Sequence, residues 1–117
     1  MRLSSLQPAD LVIALMAMKC AASGEVLPDD DEFETICGIE LEQFREIAKS
    51  LPMAGELSKD QWIVLNNGML WLVAYPHHKD AVMMNKFGLE RKAVARAHMS
   101  IRQAFGQGAE NFLDLIE

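Results

Sequence analysis

Apolar residues along this chain recur at i, i+3 and i+4, in segments separated by glycine, proline and short polar runs. That spacing is typical of amphipathic α-helices that bury one face. The first segment, residues 8–22, is apolar nearly all round, so we expect it at the centre of the core. The pattern predicts helices over residues 8–22, 29–37, 40–50, 58–75, 78–85, 89–105 and 109–116. The sequence therefore predicts an all-α fold, a single compact domain of six to seven helices over residues 1–117.

Residues 58–75 have two competing interpretations. Residues 58–61, Ser-Lys-Asp-Gln, have the form of a capping box, which predicts a helix start. Asn67-Gly68 lies between two apolar runs and is also a strong β-hairpin signal. We favour the helix, because an isolated hairpin is marginally stable and no other segment offers a strand to pair with it. In a helix, Gly68 would let a neighbouring helix approach closely.

A weak internal repeat occurs at an offset of 50 residues. Residues 38–40, Gly-Ile-Glu, overlay residues 88–90, Gly-Leu-Glu, and Phe44 overlays Val94. We predict two helical pseudo-repeats, about 8–52 and 58–105, followed by the short C-terminal helix 109–116. The charges do not repeat, since glutamates of the first copy correspond to Lys92 and Arg96 in the second. Chance similarity between amphipathic helices is the alternative explanation.

The composition is that of a folded domain with a sizeable core. The chain has 117 residues, and half of them are apolar. No run reaches the roughly 18 apolar residues of a membrane span, and Leu11 to Met18 suits a buried helix better than a signal peptide. We expect a cytoplasmic protein in which Cys20 and Cys37 are free, buried thiols. The alternative is a disulfide between them in an oxidising compartment, which the spacing of two cysteines neither predicts nor excludes.

Negative charge is concentrated in the first half of the chain. Residues 1–60 carry 12 acidic and 5 basic side chains, a balance of −7, while residues 61–117 carry 5 and 6, a balance of +1. The resulting field would repel nucleic acid and anionic membranes. It would attract cations or a basic protein partner.

The most acidic run lies between the first two predicted helices. Gly24 can end the first helix, and Pro28 suits the first position of the next. Carboxylates in the first turn are favoured by the helix dipole. Hard oxygen ligands in such a loop also suit Ca²⁺ or Mg²⁺, although the spacing lacks the alternation of an EF-hand. The expected metal ligands are Glu25, Asp29 and Asp30, and the alternative is a solvated helix start without a metal.

Residues at every second position of this run form a pattern that ends in Asp29 and Asp30: Ala22, Gly24, Val26 and Pro28. The pattern resembles the TerB-like tellurite-resistance family, in which a helix ends in Ala-Asp-Gly and the next opens with Ser/Thr-Pro-Glu-Glu. The resemblance covers about residues 9–48 and includes the Gly-Ile turn at residues 38–39. It implies a helical fold of two similar halves and a non-enzymatic role in stress response. Ser23 stands where the family has its aspartate, and Leu27 replaces the usual capping residue.

The remaining candidate sites favour a protein without catalytic chemistry. His77 and His78 are adjacent and fit a surface loop better than a zinc site, which needs three or four converging ligands. His98 falls on the predicted inward face of the helix over residues 89–105, as a core histidine would. The same face contains Val94, Ala97 and Ile101. No serine or cysteine nucleophile has an evident base, and no phosphate-binding glycine loop is present in the sequence. We expect a protein that is not an enzyme and has no cofactor beyond the Ca²⁺ or Mg²⁺ considered above.

Three functional hypotheses follow. The first is a TerB-like stress-response or scaffold domain whose acidic face binds a divalent cation or a basic protein partner. The second is an acidic immunity- or inhibitor-type protein that covers a basic surface of a toxin or nuclease. The third is a helix-turn-helix regulator built around Gly38, which fits poorly because phosphate contacts need cations and the helix after Gly38 is acidic. Arg91, Lys92, Arg96 and Arg102 of the second copy suit phosphate better.

Overall fold

The computed structural model describes residues 2–28, 31–51 and 56–105 of the chain. Within these residues all regular structure is helical, which confirms the predicted all-α fold. A short 3₁₀-helix, Leu3–Ser5, precedes six α-helices. They are α1 (Pro8–Ala22), α2 (Asp31–Cys37), α3 (Leu41–Ser50), α4 (Lys59–Ala74), α5 (Asp80–Phe87) and α6 (Arg91–Phe105). The predicted C-terminal helix 109–116 lies outside the described residues.

Three long helices form the centre of the fold. α1, α4 and α6 pack against one another, α3 lies against both α1 and α4, and the short α2 and α5 contact α4 and α1 respectively. The inward face predicted for α6 is confirmed, because Val94, Ala97, His98 and Ile101 are all buried. None of the described helices combines the length and apolar character that crossing a bilayer would require.

α4 resolves the choice between helix and hairpin in favour of the helix. The backbone N–H of Gln61 donates to the Ser58 Oγ at 3.2 Å, and the backbone N–H of Ser58 donates to the side-chain Oε1 of Gln61 at 2.6 Å. This reciprocal pair is the predicted capping box, and it satisfies amide donors that a helix start leaves without intrahelical partners. Asn67 and Gly68, which would have formed the hairpin turn, lie buried in the middle of α4.

Gly68 allows the close helix packing that the sequence suggests. A Cβ atom placed on Gly68 would lie 2.7 Å from the Met18 Cε of α1 and 2.9 Å from the Phe44 Cζ of α3. Carbon atoms pack comfortably at about 3.5–4.0 Å, so no larger side chain fits without movement of its neighbours. The glycine therefore leaves room for the Met18 and Phe44 side chains of α1 and α3 to pack directly against the α4 backbone.

Several helix boundaries differ from those predicted. α3 and α6 begin at Leu41 and Arg91, one and two residues later than predicted. α5 spans Asp80–Phe87 rather than 78–85, because His77 and the His78 backbone, with a positive φ of 57°, belong to the preceding loop. α1 has the predicted bounds, with a Ser23 cap followed by Gly24. Pro28 precedes α2 as a non-helical residue, and the two aspartates after it lie outside the described residues.

The order of long helix, short helix and long helix occurs twice, as α1–α3 and α4–α6. Gly38 and Gly88, 50 positions apart, both adopt left-handed backbone conformations, with φ of 75° and 65°. Ile39 and Leu89, which follow them, are both buried. The repeat pattern in the sequence therefore has structural counterparts at these positions.

α1 is central, as predicted, but it is not covered all round. Its buried residues are small or flexible side chains: Ala14, Ala17, Met18, Cys20 and Ala21. On another face Val12 is 54% exposed, and Leu15 is only partly buried. The predicted central position of α1 is confirmed, but the surrounding helices cover mainly the face made by these small or flexible residues.

Candidate functional site

Carboxylates lie along α2 and α3 and at Glu40, the N-cap residue of α3. Six of them are exposed, and we call this set the acidic surface: Asp31, Glu32, Glu34, Glu40, Glu42 and Glu46. Arg45 is the one cation in residues 31–46, and its Nε donates to the Ala22 carbonyl at 2.8 Å. The backbone that carries these carboxylates is pinned to the core by Phe33 and Phe44, whose rings meet edge to face at 5.0 Å. The acidic surface thus carries charge of one sign on two helices that are anchored in the core by buried aromatic rings.

Glu32 links the acidic surface to the second half of the chain. Its Oε1 accepts a hydrogen bond from the Tyr75 hydroxyl at 2.8 Å. Tyr75 caps the C-terminus of α4 and packs its ring edge-on against Trp71, with centroids 6.4 Å apart. This exposed hydrogen bond links α2 to the end of α4.

Glu25 is the one predicted metal ligand within the described residues. It lies in the loop after α1, where its Oε2 forms an ion pair with the Lys86 Nζ of α5 at 2.9 Å. Asp29 and Asp30, the other two predicted ligands, lie outside the described residues. Within the described ranges no three His, Cys, Asp or Glu side chains converge as a metal site would require. The Ca²⁺ or Mg²⁺ site at Glu25, Asp29 and Asp30 therefore stays a prediction.

The Ser23 hydroxyl forms hydrogen bonds with the backbone at the C-terminus of α1. Its Oγ donates to the Cys20 carbonyl at 2.6 Å and accepts from the Glu25 amide at 3.1 Å. The Cys20 carbonyl is one of the last in α1, which lack intrahelical partners. The residue that replaces the aspartate of the TerB-like pattern thus caps the helix.

The would-be helix-turn-helix does not present a cationic recognition helix. α2, Gly38 and α3 have the required order, but α3 exposes Glu42 and Glu46. In the second copy, α6 exposes Lys92 and Arg96. Contacts with phosphate need positively charged side chains, which are exposed on α6, whereas α3 exposes glutamates at the positions named above.

His77 is buried, so the prediction that both adjacent histidines lie on a surface loop was wrong. Its Nδ1 accepts from the Lys79 amide at 2.9 Å, which leaves the proton on Nε2 to donate to the Leu72 carbonyl at 2.9 Å. Leu72 is among the last residues of α4, whose carbonyls lack intrahelical partners. The hydrogen bond from the ring satisfies the Leu72 carbonyl and is made with the imidazole in its buried position. That tautomer gives the Arg91 Nη2, 3.0 Å from Nε2, no acceptor there.

A chain of buried hydrogen bonds joins three helices, and we call it the Asn66–His98 relay. The His98 Nε2 lies 2.8 Å from the Asn66 Oδ1, the Asn66 amide donates to the Asn67 Oδ1 at 3.2 Å, and the Asn67 amide donates to the Cys37 carbonyl at 2.9 Å. Burial, with a smaller effect of the Arg102 charge, lowers the pKa of His98 to about 4. A neutral His98 that donates from Nε2 satisfies every step, and the prediction of a core histidine is confirmed.

The two cysteines are free, as predicted, and both are buried. Burial raises the pKa of the Cys37 thiol to about 12. Burial, and to a smaller degree the Glu25 charge, raises the pKa of the Cys20 thiol to about 12. The thiolate is the nucleophilic form of cysteine, so these side chains act as core residues.

Sequence reasoning missed both buried polar arrangements. Two consecutive asparagines in an otherwise apolar segment are the sequence signal for the relay, whereas the hairpin motif uses only Asn67 with Gly68. Comparison of the chain with protein-family models, with curated proteins and with solved structures found no match. The likeness to the TerB-like family thus rests on the residues of the chain alone.

Proposed function

We propose that this chain is a non-enzymatic, TerB-like stress-response or scaffold domain whose acidic surface binds a basic protein partner. The observation that carries the proposal is the spread of six exposed carboxylates over α2, α3 and Glu40, the residue that precedes α3. A surface of one sign steers partners of the opposite sign and raises their association rate. The two free cysteines support a cytoplasmic location as part of the same proposal.

A protein partner fits the acidic surface better than a divalent cation does. Ca²⁺ takes about 6–8 oxygen ligands that converge within about 2.6 Å of the ion. The described carboxylates are distributed along the outside of α2 and α3 and do not form groups of three around a point. A cation at Glu25, Asp29 and Asp30 is a separate proposal, tested by a stability increase specific to Ca²⁺ or Mg²⁺ at matched ionic strength.

The same surface also suits the alternative, an acidic immunity- or inhibitor-type protein. Such proteins cover a basic surface on a toxin or nuclease, and the spread of charge over two helices serves that purpose equally. The two functions differ in what the partner does once it is covered. Loss of a partner's nuclease or toxin activity on binding would favour the inhibitor.

The experiment compares two variants of equal charge. Glu34→Gln with Glu42→Gln neutralises one carboxylate on each helix of the acidic surface, and Glu56→Gln with Glu90→Gln neutralises two exposed carboxylates elsewhere. Partners recovered with the wild-type protein are identified, produced separately and titrated against all three proteins. We expect the first variant to weaken binding about threefold to tenfold and to reduce its salt dependence, and the second to change little.

An equal effect of the two variants would show that net charge alone matters, which contradicts a defined binding face. Salt-sensitive binding of duplex DNA that is lost on Arg96→Ala would favour the regulator instead. Circular dichroism of each variant checks that the helices are intact.

A further inference from the structure

An open groove lies between the C-terminal half of α1 and α3, with a volume of about 720 Å³. Its floor is apolar and is formed by Leu15 and Ala22 of α1 with Ala48 and Leu51. Its rim is cationic, and we call its three side chains the basic rim: Lys19, Arg45 and Lys49.

The floor continues along an exposed face of α1. Val12, Leu15, Lys19 and Ala22 follow one another at i, i+3, i+7 and i+10, the spacing of one helix face. Val12 is 54% exposed although it belongs to the most apolar segment of the chain. Val12, Leu15 and Ala22 give this face apolar surface beside the Lys19 cation, and exposed apolar surface rimmed by polar residues is typical of an interaction site.

The charge of the basic rim is opposite to that of the protein as a whole. The chain has a net charge of −6, yet the groove lining contains three cations and no carboxylate. Among the residues that the structure describes, the ion pairs are Lys86–Glu25 and Arg91–Asp80, so none of the three rim cations has a carboxylate partner there. The hydrogen bond from the Arg45 Nε to the Ala22 carbonyl holds that guanidinium against the groove.

We infer that the groove binds an acidic amphipathic helix from a partner protein. Apolar residues at i, i+3 or i+4 and i+7 of the partner would lie on the apolar floor, as in other helix-in-groove complexes. Carboxylates flanking that stripe would meet the basic rim. This surface is distinct from the acidic surface, and the inference does not depend on the proposed function.

The shape of the groove favours a helix over an extended peptide. Both walls are helices, whose backbone hydrogen bonds are internal, so the groove offers no sheet edge to which a strand could add. Lys19 and Lys49 are exposed and can turn toward an incoming carboxylate, because lysine is a flexible point charge.

The probe is a fluorescent synthetic peptide with leucine at i, i+3, i+4 and i+7 and glutamate at the flanking positions, titrated against the full chain. A second peptide carries lysine in place of each glutamate. Lys19→Glu with Lys49→Glu reverses the rim, and the matched control, Lys92→Glu with Arg96→Glu, reverses two exposed cations of α6.

We expect the glutamate peptide to bind the wild-type protein and the rim variant to weaken that binding about tenfold. The α6 variant should change the affinity by less than about twofold. The lysine peptide should bind the rim variant better than it binds the wild-type protein, because the exchange of charges restores complementarity.

An equal loss in both variants would overturn the inference, since it would reflect net charge. Phe112 belongs to the predicted C-terminal helix 109–116, which also carries Glu110 and Asp114. Stronger peptide binding after Phe112→Ser would overturn the inference, because that segment of the same chain would then compete with the peptide for the groove. Self-association that is lost in the rim variant would assign the groove to a second copy.

Discussion

Replacement of Gly68 by alanine tests the central packing of the fold. An added Cβ would lie 2.7 Å from the Met18 Cε and 2.9 Å from the Phe44 Cζ. Both distances are about 1 Å shorter than a comfortable carbon contact. The Met18 methyl group ends a flexible side chain and can rotate away. The Phe44 ring is fully buried and packs edge to face against Phe33, so any shift of the ring disturbs other core contacts.

Two opposing free energies determine the stability of Gly68→Ala. Alanine in a helix interior is favoured over glycine by about 0.5–1 kcal/mol. Forcing an extra methyl group into a packed core costs about 1–3 kcal/mol. Because the rigid Phe44 ring is one of the two obstacles, we expect the packing cost to dominate. The predicted net loss in the free energy of unfolding is about 1 kcal/mol.

Urea unfolding followed by circular dichroism measures this loss directly. Phe44→Leu removes the rigid ring, so the double variant should be less destabilised than the sum of the two single variants. Ala95→Gly in α6 calibrates the helix-propensity contribution in the same protein. If Gly68→Ala instead stabilises the protein by about 1 kcal/mol, its neighbours yield freely and close approach does not explain the glycine.

Three further predictions concern capping, pH and thiol reactivity. Ser58→Ala should lower the free energy of unfolding by about 1 kcal/mol in denaturant titrations, because it removes one half of an exposed capping box. The pKa of His98 is lowered from 6.5 to about 4, so the unfolded state binds the proton more readily and stability is lost as the pH falls from 6.5 toward 4. The slope should not exceed about 1.4 kcal/mol per pH unit from this residue, and His98→Gln should flatten it. Cys20 and Cys37 should react with a disulfide reagent at neutral pH only on unfolding, and rapid labelling of the native protein would contradict their burial.

Features that depend on local sequence were predictable. The bounds of α1 follow from its apolar run, with Pro8 at the start and Gly24 after the end. The capping box identified α4 as a helix because both halves of its hydrogen-bonded pair lie within one turn. The inward face of α6 followed from the spacing of Val94 and Ile101.

The unpredicted features depend on residues distant in sequence. Asn67 is 30 positions from Cys37, whose carbonyl accepts its hydrogen bond, and His98 is 32 positions from Asn66. The basic rim combines Lys19 of α1 with Lys49 of α3, which share a surface only because the two helices pack together. Burial of His77 required knowledge of which α4 carbonyl lacked a partner.

Residues 66–68 orient α4 within the core. α4 is apolar on most sides, so hydrophobic burial alone distinguishes poorly between rotations of this helix about its axis. Asn66 and Asn67 form directional hydrogen bonds to α6 and α2, and a partial rotation of α4 about its axis would leave these buried amides without partners at a cost of about 1–3 kcal/mol each. Gly68, the next residue, faces α1 and α3 and permits only one close approach. The three residues thus contact four helices, and those helices carry the acidic surface and the groove with the basic rim. The positions of both candidate binding surfaces therefore depend on residues 66–68. A loss of stability in Gly68→Ala would directly show the contribution of the glycine packing.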